Sequence, residues 1–121
     1  MNDPILMNVF EIVGSPLCVA SDDGQKVFER LALALKQGRA VALSFNNIAG
    51  LTSAFLNAAI GQLYGMFSED HIRAHLHVHD MPQEDLVLLK RVVDTAKAYF
   101  RDPERFQRTT REVMGEDDDE A

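Results

Sequence analysis

The chain lacks several features that would assign it to a specialised class of protein. It has one cysteine, Cys18, which cannot form an internal disulfide, and the apolar residues around it predict a buried thiol in a reducing compartment. No apolar run approaches the roughly 20 residues that a membrane-spanning helix needs. The N-terminus also lacks the basic segment of a signal peptide. We therefore expect a soluble, cytoplasmic protein.

Positive charge is also scarce, because 12 Lys and Arg residues face 19 Asp and Glu residues, for a net charge of -7. This balance disfavours binding to nucleic acid, which needs clustered Lys and Arg. Five of the negative charges lie together in residues 116–120, a composition typical of a solvated, disordered segment. The sequence thus predicts one domain over residues 1–103 and an acidic, disordered tail over residues 104–121.

Sequence motifs for catalysis are missing as well. No glycine-rich phosphate loop follows a predicted strand, and no dinucleotide-binding or Walker motif is present. Ser44 does not belong to a recognisable motif with a histidine and an acid. We therefore expect no enzymatic activity and no cofactor. A hydrolase or transferase with an unrecognised site is the weakest alternative.

Residues 39–67, with the sequence RAVALSFNNIAGLTSAFLNAAIGQLYGMF, form the centre of the chain. Residues 40–45 are an apolar run too short for a helix, which predicts a buried strand. A polar turn at Asn46 and Asn47 follows, and residues 52–66 then read as a helix that Thr52 or Ser53 can cap. Gly61 and Gly65 weaken this helix, so we expect a neighbouring backbone to pass close to them.

The flanking segments extend this pattern of strands and helices. We predict strands at residues 7–13 and 17–20, paired as a hairpin, and a helix that Ser21 caps and Gly38 ends in the left-handed conformation. A further strand at residues 71–78 precedes a helix that begins near Pro82. That last helix has an apolar stripe formed by Leu86, Leu89, Val93, Ala96 and Phe100.

The order of these elements predicts an α/β domain with a four-stranded mixed sheet. Strand–helix–strand steps in the later half imply parallel pairing there. In the central strand Val41 and Leu43 share one face, whereas Ala42 and Ser44 share the other. A sheet covered on both faces would be apolar throughout. We therefore expect the helices mainly on one face, with the other open to solvent or covered by a partner or a second copy.

The stretch LSFNNIAGLTSAFLNAAIGQLYG resembles the STAS-like domains, which are related to the anti-sigma factor antagonists and to domains of sulfate transporters. The resemblance covers about residues 38–100. It implies a small, non-catalytic regulatory module that binds a protein partner, in some members an ATPase-fold kinase. In those members the kinase phosphorylates the second serine of an Asp-Ser-Ser-Gly motif. That serine falls on Ala54 here, which leaves Ser53 and Thr52 as the hydroxyls that could replace it.

The predicted function is therefore a regulatory protein–protein interaction at the start of the second predicted helix, with an ATPase-fold kinase or a sensor as partner. The simpler alternatives are that Thr52 and Ser53 only cap the helix and that the two asparagines only form a turn. The predicted partner-binding or phosphoacceptor residues are Thr52, Ser53, Phe55, Asn57, Asn46 and Asn47.

The alternative function is metal or small-molecule binding. His75, His77 and His79 alternate along a predicted strand, so their imidazoles would project to one side, where they could bind zinc or nickel. A polar sheet face or the seam of a homodimer explains the same pattern. Protonation of such a cluster would make the surface sensitive to mild acid.

Overall fold

The computed structural model describes residues 3–101, and the predicted acidic tail lies outside the described residues. Within this range strands and helices follow one another along the chain. The order is β1 (Ile5–Asn8), α1 (Val9–Val13), β2 (Leu17–Cys18), α2 (Ser21–Lys36), β3 (Val41–Ser44), β4 (Gly50–Leu51), α3 (Ser53–Ala59), a 3₁₀-helix (Gly61–Gly65), α4 (Glu69–His75), β5 (Leu76–His79) and α5 (Gln83–Arg101).

The strands form two parallel sheets rather than the predicted four-stranded mixed sheet. In the larger sheet β3 lies between β1 and β5, with Leu43 opposite Met7 on one side and Val78 on the other. The smaller sheet pairs β2 with β4. The α/β class and the parallel pairing of β3 with β5 are confirmed, whereas the number and mixed arrangement of the strands were wrong.

The predicted hairpin at the N-terminus does not form. The first strand begins at Ile5 and ends at Asn8, whose side chain accepts a hydrogen bond from the Glu11 amide at 3.1 Å and thereby caps α1. Gly14, with φ of 80°, ends this short helix. The apolar residues in α1 fit one helical turn as well as a strand, so their spacing did not distinguish the two. With α1 in between, β2 pairs with β4 instead of β1.

The α2 helix follows the prediction closely. It begins at Ser21, but Ala20 occupies the N-cap position, so Ser21 is the first helical residue and not the cap. Gly38 adopts φ of 72°, and its amide donates to the Leu35 carbonyl at 3.0 Å. The left-handed end of the helix at Gly38 is therefore confirmed, because this conformation strongly favours glycine.

The predicted helix over residues 52–66 is divided into α3 and the 3₁₀-helix at Ile60. A Cβ on Gly61 would come within 2.5 Å of the Asn57 side-chain oxygen, and one on Gly65 within 2.6 Å of the Phe100 ring. Both glycines thus make room for side chains, not for a neighbouring backbone. The close backbone approach occurs elsewhere, where Gly24 of α2 lies against α3.

The strand predicted over residues 71–78 begins only at Leu76. The preceding residues form α4, which Ser68 caps by accepting a hydrogen bond from the His71 amide at 3.1 Å. Glu69 and Asp70 occupy the first turn, where acidic residues stabilise a helix. The sequence contains this capping pattern, but the alternation of apolar and basic residues that follows it predicted a strand instead.

The larger sheet is covered on one face. Its strand order follows the chain order, so two crossovers of the same hand place their helices on the same side. Val41 and Leu43 are fully buried on that side. On the opposite side Leu6 is 83% exposed and His77 is also exposed. The predicted difference between the two faces is therefore confirmed.

The last helix differs from the prediction in which residues reach the core. Val92 and Ala96 are buried, whereas Leu86 and Phe100 at the ends of the predicted stripe are each 41% exposed. None of the helices between residues 3 and 101 combines the length and apolar content that a membrane crossing requires.

Candidate functional site

Thr52 fixes the start of α3. Its hydroxyl accepts a hydrogen bond from the Phe55 amide at 3.2 Å and donates one to the Val19 carbonyl at 2.7 Å. The Thr52 amide also donates to the Cys18 carbonyl at 3.2 Å. These bonds join the N-terminus of α3 to β2 and the residue after it. Thr52 is thus a helix cap whose hydroxyl is already engaged as donor and acceptor.

Ser53 is the first residue of α3, and its side chain is exposed. It lies at a surface groove of about 510 Å³ between α3 and α5. Among residues 3–101 the Ser53 hydroxyl has no hydrogen-bond partner, in contrast to Thr52. The groove is lined by Ser53, Ala54, Asn57, Leu88, Arg91, Val92 and Thr95.

The groove combines an apolar base with charge. Val92 is buried and Leu88 is half-buried, whereas Arg91 is exposed beside them. Asn57 lies one helical turn after Ser53, so both reach the same side of α3. The structure therefore brings two of the predicted site residues together with α5 residues that the sequence analysis did not include.

Phe55 is a core residue and cannot contact a partner directly. Its exposed fraction is 0%, the same as that of its neighbour Leu56. The helix that carries it is closely packed, because Gly24 of α2 lies against the Phe55 carbonyl oxygen and the Ala58 Cβ. The phenyl ring therefore anchors α3 in the core, and including Phe55 in a binding surface is wrong for this geometry.

Asn46 and Asn47 form an exposed turn after β3 and do not line the groove between α3 and α5. Asn47 has φ of 68°, which asparagine tolerates better than most residues. The Asn46 amide donates to the Ser44 hydroxyl at 3.1 Å. The simple turn is thus sufficient to explain both residues.

A second polar cluster lies at the carboxyl ends of the larger sheet. The Ser44 hydroxyl donates to the Asp80 carboxylate at 2.7 Å, and Asp80 adopts φ of 62°. With Asn8, Glu11 and His79 they border an open groove of about 480 Å³. A Ser–His–acid triad needs the imidazole between serine and carboxylate. Here serine donates to the carboxylate directly, so the contact holds the Asp80 turn and does not activate Ser44.

The three histidines of the alternative prediction do not form one cluster. His77 and His79 are exposed on the open face of β5, but His75 is the last residue of α4. Its Nδ1 lies 2.7 Å from the His71 carbonyl oxygen, and the centre of its ring lies 4.3 Å from that of the His71 ring, with the two planes tilted by 34°. No group of three or more His, Cys, Asp or Glu side chains within the described range is arranged to hold a metal ion.

Cys18 is buried, as its neighbours predicted. Burial raises the pKa of its thiol from 9.0 to about 11, and the nearby Asp23 carboxylate adds to this increase. Because the thiolate is the nucleophile, the raised pKa and burial make Cys18 a poor nucleophile at neutral pH.

Comparison with known proteins identifies one similarity. The family model described as a STAS-like domain of unknown function (DUF4325) matches residues 23–86, from the first turn of α2 to the first turn of α5. The match therefore contains β3, α3 and β5 and the Ser53 side of the groove. Searches of curated proteins and of solved structures gave no match.

Proposed function

The chain belongs to the family of STAS-like domains, and on this premise we propose that it is a regulatory module, not an enzyme, that binds a protein partner through the groove between α3 and α5. The partner we propose is an ATPase-fold kinase or a sensor protein, as the family resemblance implies. The observation that carries the proposal is the exposed Ser53 beside an apolar groove that contains Arg91.

The composition of this surface supports protein binding. Interfaces have an apolar centre with a polar rim, and they are enriched in Arg. Leu88 and Val92 supply the apolar part, and Arg91 supplies the charge. Val19, whose carbonyl is bonded to Thr52, is 50% exposed and adds further apolar area next to the start of α3.

The two hydroxyls differ in their suitability as phosphoacceptors. Thr52 would have to lose the hydrogen bond that its hydroxyl donates to the Val19 carbonyl before it could react, whereas Ser53 is exposed. We therefore assign the phosphoacceptor role to Ser53. A phosphate adds about -1.5 to -2 charge and can form charge-assisted hydrogen bonds with Arg. On Ser53 it would compete with the partner for Arg91 and weaken partner binding.

We expect the partner, an ATPase-fold kinase or a sensor, to be encoded near this protein. The binding proposal is tested by mixing that partner with the full chain and measuring binding by calorimetry. Arg91→Ala removes a groove cation, and Lys90→Ala is the matched control, because Lys90 is exposed, pairs with Asp94 and does not line the groove. We expect Arg91→Ala to weaken binding by about tenfold and Lys90→Ala by less than about twofold. Equal effects of the two variants would contradict the assignment.

The phosphoacceptor assignment is tested by incubation with the kinase and ATP, followed by mass spectrometry. We expect modification of Ser53 that Ser53→Ala abolishes. Thr52→Val, which changes the adjacent hydroxyl, should still be modified. Modification confined to other residues would exclude Ser53 as the acceptor and leave the binding proposal to the calorimetric test.

A further inference from the structure

A separate cavity of about 170 Å³ lies between β5, α4, the 3₁₀-helix and α5. Residues of both β5 and α5 contribute to its walls. The apolar lining residues are Ile60, Ile72, Leu76, Val78, Leu89 and Val93. The pocket opens to solvent beside Arg73, whose side chain is 70% exposed. An apolar cavity of roughly 150 Å³ can hold benzene. This space is therefore large enough for one six-membered ring or a short branched chain.

The charged groups at this cavity come from two helices. Lys97 of α5 lies with its Nζ 3.7 Å from a Glu69 carboxylate oxygen, a long contact for an ion pair. The other oxygen of Glu69 accepts a hydrogen bond from Arg101 at 2.7 Å. Arg73 lines the cavity and pairs with Asp70 at 3.1 Å. Among the residues that line the cavity, Lys97 and Arg73 are cations and Glu69 is a carboxylate, which leaves an excess of one positive charge in the lining.

Lys97 is the group best placed to bind an anion. An ammonium has three N–H donors, and its contacts within the described structure are the long one to Glu69 and an approach of 6.0 Å to the centre of the Tyr64 ring. Tyr64 also lines the cavity. Burial, and to a lesser extent the Glu69 carboxylate, raises the pKa of Tyr64, so its phenol keeps its proton and can donate.

We propose that this cavity binds a small monocarboxylate, with a compact apolar group among Leu76, Val78 and Val93 and its carboxylate at Lys97. The apolar walls select for the hydrocarbon part and the excess positive charge selects for an anion. The site is distinct from the proposed partner groove, to which α5 contributes Leu88 and Arg91.

The experiment uses benzoate as the probe, titrated into the full chain and followed by calorimetry and by nuclear magnetic resonance. Benzyl alcohol and benzylamine present the same ring with a neutral or a cationic group. We expect saturable binding of benzoate, about tenfold tighter than benzyl alcohol because the carboxylate gains a charge-assisted hydrogen bond. Resonances of Val78 and Val93 should shift on binding. Benzylamine should bind more weakly than both.

Lys97→Met keeps much of the length of the side chain but removes its charge, and Lys90→Met on the same helix is the control. We expect Lys97→Met to abolish the preference for benzoate over benzyl alcohol and Lys90→Met to retain it, with circular dichroism verifying that both are folded. The proposal is overturned if the full chain shows no saturable benzoate binding. Equal affinity for benzoate and benzylamine, or a preference that survives in Lys97→Met, would also overturn it.

Discussion

Gly24 allows α2 and α3 to approach each other, and replacing it with Ala tests how closely they pack. A Cβ at this position would lie 2.5 Å from the Phe55 carbonyl oxygen and 2.8 Å from the Ala58 Cβ. Neither atom belongs to the end of a flexible side chain. Gly24→Ala therefore requires the two helices to move apart, although Gly24 lies in a helix where Ala is ordinarily preferred.

The expected loss of stability is the difference between two opposing effects. Ala is more favourable than Gly in a helix interior by about 1 kcal/mol. Overpacking a core costs about 1–3 kcal/mol, and contact with a backbone atom places Gly24 at the upper end of that range. We therefore expect Gly24→Ala to lower the free energy of unfolding by about 2 kcal/mol. For a domain of this size that corresponds to a decrease in Tm of roughly 8–16 °C.

The assay is urea unfolding of the full chain, followed by circular dichroism, with Gly61→Ala as the matched control. A Cβ on Gly61 would come equally close, at 2.5 Å, but to the Asn57 side-chain oxygen, which can rotate away. Gly61→Ala should therefore change the unfolding free energy by less than about 1 kcal/mol. If Gly24→Ala instead raised stability by about 1 kcal/mol, helix propensity alone would explain it and the close α2–α3 contact would be refuted.

Three further predictions follow from single side chains. Thr52→Val removes the cap of α3 and should cost about 1–2 kcal/mol in urea unfolding, whereas Ser53→Ala should stay within about 0.5 kcal/mol; similar losses would contradict their different roles. Cys18, with its pKa raised from 9.0 to about 11, should react with a thiol reagent about a hundredfold more slowly in the folded chain than in urea, and equal rates would show that it is accessible. The hydrogen bond from Arg101 lowers the pKa of Glu69, so its stabilisation exists above the pKa of the unfolded state and disappears as pH falls through the folded-state pKa. Thermal unfolding at neutral and acidic pH should therefore show a smaller acid-induced decrease in Tm for Glu69→Gln than for the natural chain, and identical decreases would refute the role of this pair.

Much of the groove between α3 and α5 could not be identified from the sequence because its two sides come from distant parts of the chain. The segment around Ser53 was recognised, since a hydroxyl before an apolar helix is a local capping pattern. Leu88 and Arg91 follow Ser53 by more than 30 residues along the chain. Only the packing of α5 against α3 brings them to Ser53. Similarly, Phe55 and Asn57 belong to the same helix, but only the position of α2 shows that one is buried and the other exposed.

The sequence by itself determined the features that depend on a few consecutive residues. It specified the apolar strand at Val41–Ser44, the extent of α2, the left-handed glycine at Gly38 and a capping hydroxyl at Thr52 or Ser53, of which the structure uses Thr52. In each case the decisive hydrogen bonds or side-chain alternation lie within about one helical turn or one strand. The same local reasoning also revealed that one face of the central strand would be more apolar than the other.

Only the tertiary structure decided which distant residues meet. The parallel pairing of Leu17 with Gly50, the bond between Ser44 and Asp80, and the contact of Gly24 with α3 each join segments about 30 or more residues apart. These contacts form when the whole chain buries its apolar surface, and their partners have no fixed spacing along the sequence. For that reason the sequence predicted β3, α2 and α5 but assigned α1 and α4 as strands. The two sheets, the groove and the cavity depend on packing between distant segments and could not be predicted from local patterns.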